Sequence, residues 1–442
     1  MSVILIHLSD IHFGQEKGTL FYVHEDVRER LLDDVAVFSA AIAPKRISGV
    51  MVTGDIAYSG TEEEYRQAGK WLDRLTIAIG CERSDVQVVP GNHDIDRGQI
   101  SSAGAYLLKE VEEAGETKLN VFLRDENDRE LLYKRFHAYS EFSEAYNCPL
   151  DKNGGGAGDR LIELAPGRHI RIVGLNTALA CSKNDVEGKL LLGERQRVLP
   201  RTSGEELVVL AHHPLKWMAD AAEAAQYVRS RARVLVTGHE HNPSARVEKV
   251  FEGADLLTIE AGATVPPWSD EDYTYTFNFI EFGWNEAEDA LAVTIHPRCW
   301  SNERMEFEED ATRLDPDATS VVLASPRFRE APKPVAGEGF ALAEADEAPV
   351  ILQEASDGTI GMGDIPAEYS DIILRFFRDL TAAERLRLLV EVGAIPDNWD
   401  KPLSHGNERI LFDRAIRDGK AHMMRNRLDE LNKKDEDGGA NG

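Results

Sequence analysis

The chain has 442 residues, of which 42% are hydrophobic, so it is long enough to form roughly two or three domains with buried cores. Its 78 acidic and 50 basic residues give a formal net charge of −28, which argues against broad nonspecific binding to nucleic acid but not against a local basic groove or a metal site. The four cysteines form no CxxC pair, no apolar run is long enough to span a membrane, and the N-terminus shows no targeting pattern. We therefore expect a cytoplasmic protein.

Residues 1 to about 300 alternate short apolar runs with amphipathic segments, which predicts an α/β fold. Helices are predicted over 27–43 and 62–79. Two later runs, YTYTFNFIEF and LAVTIHP, alternate in polarity and predict an antiparallel hairpin. The other apolar runs mostly end in Gly, Asn, Asp or His, as buried strands do where they meet loops. These runs are VILIHL, GVMVTGD, VQVVPGN, IRIVGLN, LVVLAHH, VLVTGHE and LLTIEAG.

Composition divides the chain into a catalytic domain, a linker and a small all-α domain. The segment that follows the first three strands predicts two helices, near 105–113 and 130–146, and then a glycine-rich loop. We interpret it as an insertion that forms a lid or a specificity element. The predicted boundaries are 1–302 for the catalytic domain, 100–160 for its insertion, 303–362 for an acidic linker rich in Pro and Ala, 363–434 for the helical domain and 435–442 for a polar tail.

Metal-type ligands follow five of the predicted strands. In SDIHFG, Asp10 and His12 flank one residue, and in an extended chain such side chains point the same way. Asp55 follows the second strand in TGDIAYSG. Each turn alone could be an ordinary polar loop, but six of the 13 histidines lie in these turns, so we predict a metal centre. The other candidates are Asn92 and His93 in PGNHD, His212 and His213 in LAHHP, and His239 and His241 in TGHEH.

The order D-x-H, GD, GNH(D), H and GHxH resembles that of the calcineurin-like metallophosphoesterases, over roughly residues 3–300. The resemblance implies a four-layer α/β fold in which two mixed β-sheets pack face to face with helices outside. It also implies two divalent metal ions at the carboxyl ends of the strands.

The resemblance implies a role for each candidate residue. Asp55 would bridge both ions, and His93 would face the leaving group without binding a metal. His212 matches the family ligand because it lies two residues before Pro214, which leaves His213 beside the ligands rather than among them. The ligands would be Asp10, His12 and His241 for the first ion, and Asn92, His212 and His239 for the second.

Imidazole, carboxylate and amide ligands together suit borderline metals, so manganese is the expected ion, with iron, zinc or nickel as alternatives. Two cations roughly 3.5–4 Å apart neutralise the phosphate oxygens and lower the pKa of a shared water, whose hydroxide would attack phosphorus in line. We expect His93, as imidazolium, to protonate the departing alkoxide. Asp94 is a second candidate catalytic residue, which either orients His93 or caps the following turn.

The residues after Asp55 bear on the substrate. Protein phosphatases of the family follow GD with DRG, whereas this chain has IAYSG, and GDIAYSG and HLSDIHFG resemble the cyclic-nucleotide phosphodiesterase and nuclease branches. A nucleotide or nucleic-acid phosphodiester is therefore the expected substrate, and phosphomonoesterase activity is the alternative. Further candidates for substrate contact, which solvation or loop packing explains more simply, are Lys183, Lys189, Arg195 and Trp268.

The C-terminal helices lack an obvious catalytic set. Leu386, Leu389 and Val390 lie at helical spacing and predict a core, and LTAAERLRLLVEVGAI resembles the death-like or effector-associated domains of bacterial conflict systems. This resemblance implies a bacterial defence effector with nuclease activity that a protein partner recruits through these helices. The rival hypothesis is a scaffold on an inactive fold, against which the full set of ligands argues. The oligomeric state is not predicted.

Overall fold

The computed structural model describes residues 2–16, 20–250, 254–266, 274–330, 367–395 and 405–438. The chain divides into two compact units, Met1–Glu330 and Ala331–Gly442. The strands are β1 (Ser2–Leu8), β2 (Ile47–Val52), β3 (Val86–Val88), β4 (Asp159–Ala165), β5 (Arg168–Gly174), β6 (Glu205–Leu210), β7 (Ala232–Thr237), β8 (Ser244–Val250), β9 (Ala254–Glu260), β10 (Thr276–Asn285), β11 (Ala290–Ser301), β12 (Glu306–Glu309) and β13 (Ser320–Leu323).

Helices accompany the strands in the first unit and make up the described part of the second. Those of the first unit are α1 (Leu20–Ala41), α2 (Glu62–Ile79), α3 (Ser102–Ala114), α4 (Glu116–Arg124), α5 (Glu126–Tyr133), α6 (His137–Ala145), α7 (Glu194–Arg197), α8 (Ala221–Arg231), α9 (Pro316–Thr319) and α10 (Pro326–Arg329). Those of the second are α11 (Ala367–Asp379), α12 (Ala382–Glu391), α13 (His405–Arg417) and α14 (Ala421–Gly438).

The strands form two mixed sheets. In the first, with the order β12-β11-β10-β1-β2-β3, the strands β1, β2 and β3 are parallel, β10 and β11 form the predicted antiparallel hairpin, and β13 also pairs with β11. In the second, with the order β4-β5-β6-β7-β9-β8, the central strands β5, β6, β7 and β9 are parallel. Every residue of β6 and β7 is buried, as expected for parallel strands covered on both faces. The predicted α/β fold is confirmed.

Helix α2 begins and ends where the sequence predicts. The Glu64 carboxylate accepts a hydrogen bond from the Thr61 backbone N–H at 2.9 Å, which is one half of a capping box. At the other end Gly80 adopts a φ of 68°, a left-handed conformation that glycine reaches without strain. The first helix is longer at its N-terminus than predicted, since it begins at Leu20.

The predicted catalytic boundary at residue 302 is wrong. Strands β12 and β13 both pair antiparallel with β11, so the first unit continues to Glu330. Composition concealed these strands because each has only four residues among many acidic neighbours. The rest of the predicted linker, residues 331–362, lies outside the described residues.

The insertion contains four helices rather than the two predicted. Helix α4 starts directly after Gly115, and the single helix predicted over 130–146 is divided by a 3₁₀ turn at Lys134–Phe136. The turn buries Phe136 and the guanidinium group of Arg135, which donates hydrogen bonds to the backbone carbonyls of Leu132 and Leu179. In a continuous helix the Leu132 carbonyl would instead accept a hydrogen bond from the backbone N–H of Phe136.

The second unit is helical, as predicted, but its predicted core residues are only partly correct. Leu389 is buried, whereas Leu386 is 39% exposed and Val390 is 58% exposed. The core is formed instead around Phe376, Phe377 and Phe412 on the neighbouring helices. Helix α14 runs to Gly438, so the predicted tail at 435–442 begins too early. Among the described residues, no helix has the length and apolar character needed to cross a membrane.

A buried ion pair holds the second sheet at the edge where β6 and β7 begin. The Arg233 Nε atom lies 3.2 Å from Glu206 Oε2, and neither side chain is more than 1% exposed. Glu206 Oε1 also accepts a hydrogen bond from the backbone N–H of Arg327 at 2.8 Å, which connects residues 303–330 to this sheet. Burial raises the pKa of Glu206 to about 7, although Arg233 opposes this shift.

Removal of Arg233 should therefore destabilise the first unit strongly. We expect Arg233→Met to lower the free energy of unfolding by about 3 kcal/mol, because it leaves Glu206 buried and unpaired. Arg229→Met, which breaks an exposed pair with Glu248 (2.9 Å), should cost less than about 1 kcal/mol. Urea denaturation followed by tryptophan fluorescence measures both, and similar losses for the two variants would contradict the assignment.

Candidate metal centre

The candidate ligands lie on five turns at the carboxyl ends of strands from both sheets. Three turns follow β1, β2 and β3 of the first sheet, and two follow β6 and β7 of the second. Backbone hydrogen bonds join turns to each other, from Asp10 N to Gly54 O at 3.0 Å and from Gly238 N to His212 O at 2.9 Å. The backbone N–H of His239 also donates to Asp10 Oδ2 across the two sheets at 3.2 Å. The predicted ligands are thus brought together.

Asp55 occupies the middle of the cluster. Its Oδ2 atom lies 3.8 Å from His12 Nε2 and 3.4 Å from His212 Nε2, so one carboxylate oxygen faces candidate ligands of both ions. Its Oδ1 atom accepts a hydrogen bond from the backbone N–H of His93 at 2.8 Å, which fixes the plane of the carboxylate. This is the arrangement that a bridging ligand requires.

The other candidate ligands lie on either side of Asp55. On one side, Asp10 Oδ1 lies 3.0 Å from His241 Nε2 and 3.8 Å from His12 Nε2. On the other side, the His212 Nε2 atom lies 3.1 Å from Asn92 Oδ1 and 3.2 Å from His239 Nδ1.

These separations fit the group that the resemblance implies. Ligand atoms about 2.1 Å from one ion lie roughly 3 to 4 Å apart, which is the range found here. The sets Asp10–His12–His241 and Asp10–Asp55–His212 are each compact enough to hold an ion.

The electrostatics of the histidines are also those of a metal site. Burial lowers the pKa of His12 to about 4, and burial together with His212 lowers the pKa of His239 to about 4. Both rings are therefore neutral near pH 7, the state in which imidazole binds a cation. Burial would also lower the pKa of His212, but the carboxylates of Asp55 and Asp10 raise it to about 9. His212 is thus held where negative charge attracts a cation.

The backbone of the turns is strained. Five of the seven predicted ligands have a positive φ, and they make up five of the eight non-glycine residues with this conformation in the described part of the chain. Such a conformation costs of order 1 kcal/mol per residue and is typical of functional sites. The five are Asp10 (53°), His12 (50°), Asp55 (52°), His239 (72°) and His241 (57°).

Glycine permits the close approach of the turns. A Cβ atom on Gly91 would lie 2.2 Å from Asp55 Oδ1, and one on Gly54 would lie 2.7 Å from His212 Nδ1. A larger residue at either position would therefore displace a candidate ligand.

His93 lies beside the cluster, and a neighbouring carbonyl shows which of its ring nitrogens carries a hydrogen. Its Nδ1 atom is 2.7 Å from the backbone carbonyl of Tyr58, and because a carbonyl only accepts, Nδ1 carries a hydrogen. The Nε2 atom is then the one that gains or loses a proton. The His93 ring also stacks on Tyr58 at 5.0 Å and meets the edge of His12 at 4.9 Å.

The Asp94 carboxylate forms its hydrogen bonds within the protein. It is fully buried and accepts hydrogen bonds from the backbone N–H groups of Ile56 (3.0 Å), Ala57 (2.9 Å) and Gly91 (2.9 Å), and from the Tyr65 hydroxyl (2.9 Å). All its lone pairs are directed at the protein, and none at His93. Asp94 therefore holds two turns together, and its catalytic role stays a prediction.

His213 lies behind the cluster. Thr177 Oγ1 is 3.0 Å from its Nδ1 atom, and Cys181 Sγ is 4.0 Å from its Nε2 atom. Its ring packs against His239 at 4.5 Å and is fully buried. His213 is near enough to His212 and His239 to share an ion with them, so its place beside the ligands stays a prediction.

Three contacting residues were not predicted. Tyr58 and Arg97 lie within the motif loops GDIAYSG and GNHDIDRG, so their sequence position was the available signal. Arg97 donates to the Asn92 carbonyl at 3.2 Å, and Trp217 packs on His239 at 4.3 Å. No sequence signal marked Trp217.

The four residues predicted as candidates for substrate contact do not form one group in the structure. Arg195 donates to the Asn153 carbonyl at 2.7 Å and so anchors the insertion. Lys183 and Lys189 line a cavity beside α3. Trp268 lies outside the described residues.

Comparison with known proteins gives matches for both units. Residues 4–243 match the calcineurin-like phosphoesterase family model, and residues 368–430 match the GTPase-associated adaptor domain. A relative is the uncharacterized metallophosphoesterase-like protein YydB of Bacillus subtilis, 22% identical over 316 residues, which are 69% of this chain and 60% of the relative. The chain therefore spans less than two thirds of that relative's length.

Solved structures with a similar fold include a dimetal phosphatase from Danio rerio (TM-score 0.37, 14% identity, 70% of this chain and 98% of that one). Another is the NAD nucleotidase of Haemophilus influenzae (TM-score 0.33, 12% identity, 72% of this chain and 57% of that one). A third is a purple acid phosphatase from yellow lupin (TM-score 0.40, 10% identity, 78% of this chain and 57% of that one). Because the family model spans more than half of the chain and includes all seven candidate ligands, the chain belongs to the calcineurin-like phosphoesterase family.

Proposed function

We propose that this chain hydrolyses a phosphodiester of a nucleotide or nucleic acid with the help of two divalent metal ions. Manganese is the preferred metal for both positions. The observation that carries the proposal is the position of Asp55 Oδ2 between His12 Nε2 (3.8 Å) and His212 Nε2 (3.4 Å). Asp10, His12 and His241 would hold one ion, Asn92, His212 and His239 the other, and Asp55 both. When bound, the ions supply positive charge to the phosphate oxygens and activate water.

The chain's own residues supply the proton. The Tyr58 carbonyl fixes the hydrogen on His93 Nδ1, so His93 Nε2 is free to donate a proton to the departing oxygen. Stacking on Tyr58 and the edge contact with His12 keep this ring beside the ligands. A charged imidazole there also offsets negative charge on the phosphate.

The choice of a diester rests on the sequence after Asp55. The IAYSG segment lacks the acid and arginine with which protein phosphatases of the family follow GD. The cluster itself has two carboxylates among seven ligands, so two divalent ions would leave it positive toward an anionic substrate. Phosphomonoester hydrolysis is the alternative.

For the second unit we propose binding to a protein partner. Its match to an adaptor domain supports this, as do the exposed side chains of Val390 (58%), Met423 (53%) and Ile410 (48%). A hydrolase joined to an adaptor suits an effector that a partner recruits, such as the bacterial defence role that the sequence resemblance implies.

Asp55→Ala should abolish the loading of both ions, because it removes the ligand they share. Mass-spectrometric metal content, measured after gel filtration from manganese, should fall from two ions per chain to none. Asp33→Ala, which removes a carboxylate that is 63% exposed on α1, should keep both ions. Two ions retained by Asp55→Ala would refute the bridging role.

His93→Ala should keep both ions but lower turnover by about 100-fold or more, the usual contribution of a positioned general acid. The loss should be greater for an alkyl leaving group than for p-nitrophenolate, which departs without a proton. His137→Ala, an exposed histidine on α6, is the control. Equal losses with both leaving groups would show that His93 does not donate the proton.

The metal-stripped protein, given manganese, should cleave bis-p-nitrophenyl phosphate faster than the corresponding monoester. Faster cleavage of the monoester would establish the alternative instead. If neither ester is cleaved while two ions are bound, the hydrolase proposal fails and a scaffold role replaces it.

A further inference from the structure

A cavity of about 380 Å³ lies between helix α3 of the insertion and residues 180–190. This volume is in the range of pockets that hold small organic ligands. Its walls are mixed in polarity, and the apolar part is formed by Ile100, Ala105 and Leu108 from the insertion and Val186 from the opposite loop. The Val186 side chain is 55% exposed, so a ligand in the cavity can contact it.

Charged side chains of both signs line the cavity, and one of its lysines, Lys109, pairs with Glu113 (3.6 Å). Lys183 and Lys189 line it, both are exposed, and neither forms an ion pair with another residue in the described part of the chain. Two acidic residues, Glu112 and Asp185, also line it, but the Asp185 carboxylate accepts a hydrogen bond from the Ser182 backbone at 2.7 Å. Two unpaired lysines around one cavity stand out in a chain of net charge −28.

Intermediate residues link the cavity to the proposed metal centre. Arg97 donates one hydrogen bond to the Asn92 carbonyl (3.2 Å) and another to the carbonyl of Ser182 (3.1 Å), and Ser182 lines the cavity. Cys181, the preceding residue, lies against His213, the neighbour of His212. The wall of the cavity is therefore joined to two of the turns that carry candidate ligands.

We propose that this cavity is the substrate-selecting site of the enzyme and that it takes a nucleotide. Lys183 and Lys189 pair with a phosphate group other than the scissile one, and the apolar part of the walls receives the base. The insertion then acts as a specificity element. This inference rests on the proposed function, because it assigns the part of the substrate that the metal centre does not hold.

A charge-reversal experiment tests the lysines. The double variant Lys183→Glu, Lys189→Glu is compared with Lys70→Glu, Lys249→Glu, which changes the net charge equally at exposed positions away from the cavity. The substrates are a dithymidine diester with a 5′-terminal phosphate, the same diester without it, and bis-p-nitrophenyl phosphate.

We expect the cavity variant to lower kcat/KM for the 5′-phosphorylated diester by roughly tenfold or more, through KM, because a charged hydrogen bond is lost. The other two substrates should change by less than about threefold. Equal losses for all three substrates, or an equal loss in the control variant, would overturn the proposal.

A second pair of variants tests the apolar part of the walls without a change of charge. Ala105→Trp fills the cavity, whereas Ala103→Trp places the same side chain on α3 outside the lining. Ala105→Trp should raise KM for both dithymidine diesters and leave the hydrolysis of bis-p-nitrophenyl phosphate unchanged. Ala103→Trp should leave the kinetics with all three substrates unchanged. Unchanged dinucleotide kinetics in Ala105→Trp would refute a base-binding wall.

Direct binding separates failure of this inference from failure of the proposed function. If the wild-type protein hydrolyses no ester, the hydrolase proposal fails, and calorimetry with thymidine 5′-monophosphate still tests the cavity. Charge reversal should then weaken binding by roughly tenfold relative to the control variant. No binding by the wild type, or equal binding by both variants, would overturn the cavity assignment.

Discussion

The buried Asp94 carboxylate accepts backbone hydrogen bonds from Ile56, Ala57 and Gly91 at 2.9 to 3.0 Å, and so binds the turn after β2 to the turn after β3. These are the turns that carry Asp55 and Asn92. Without this link, three backbone donors would be buried and unpaired, at a cost of about 1–3 kcal/mol each. The position of every candidate ligand around Asp55 depends on it, since the other turns meet these two.

The convergence of the turns requires strained backbone conformations. Left-handed conformations at five candidate ligands cost several kcal/mol in total, and the surrounding parallel strands must stabilise them. The strands of both sheets are well suited to this, because they are buried throughout β6 and β7 and fixed by pairing on both sides. A rigid core thus supports a strained edge that holds the candidate ligand atoms in place.

The charge of the centre differs from that of the chain. A net charge of −28 repels polyanions at long range, yet the cluster around Asp55 uses mostly neutral ligands, and Lys183 and Lys189 line the cavity beside α3. With two divalent ions bound, this edge would be a positive region on an acidic protein. Such a contrast is in keeping with the small anionic substrate that we propose.

The sequence alone determined the fold class and the strand ends, because strand periodicity is a local property. The resemblance of its motifs to a known family implied the seven candidate ligands, which the fold brings together and whose metal binding stays a prediction. The sequence did not determine the structural role of Asp94, since hydrogen bonds to Ile56 and Ala57 span some 38 residues of chain. It likewise missed strands β12 and β13, whose four residues each are stabilised only by pairing with β11. The cavity beside Lys183 exists only because α3 and residues 180–190, distant in sequence, face each other in the folded chain. Tertiary structure decided these features, because each depends on contacts between segments that no local pattern encodes.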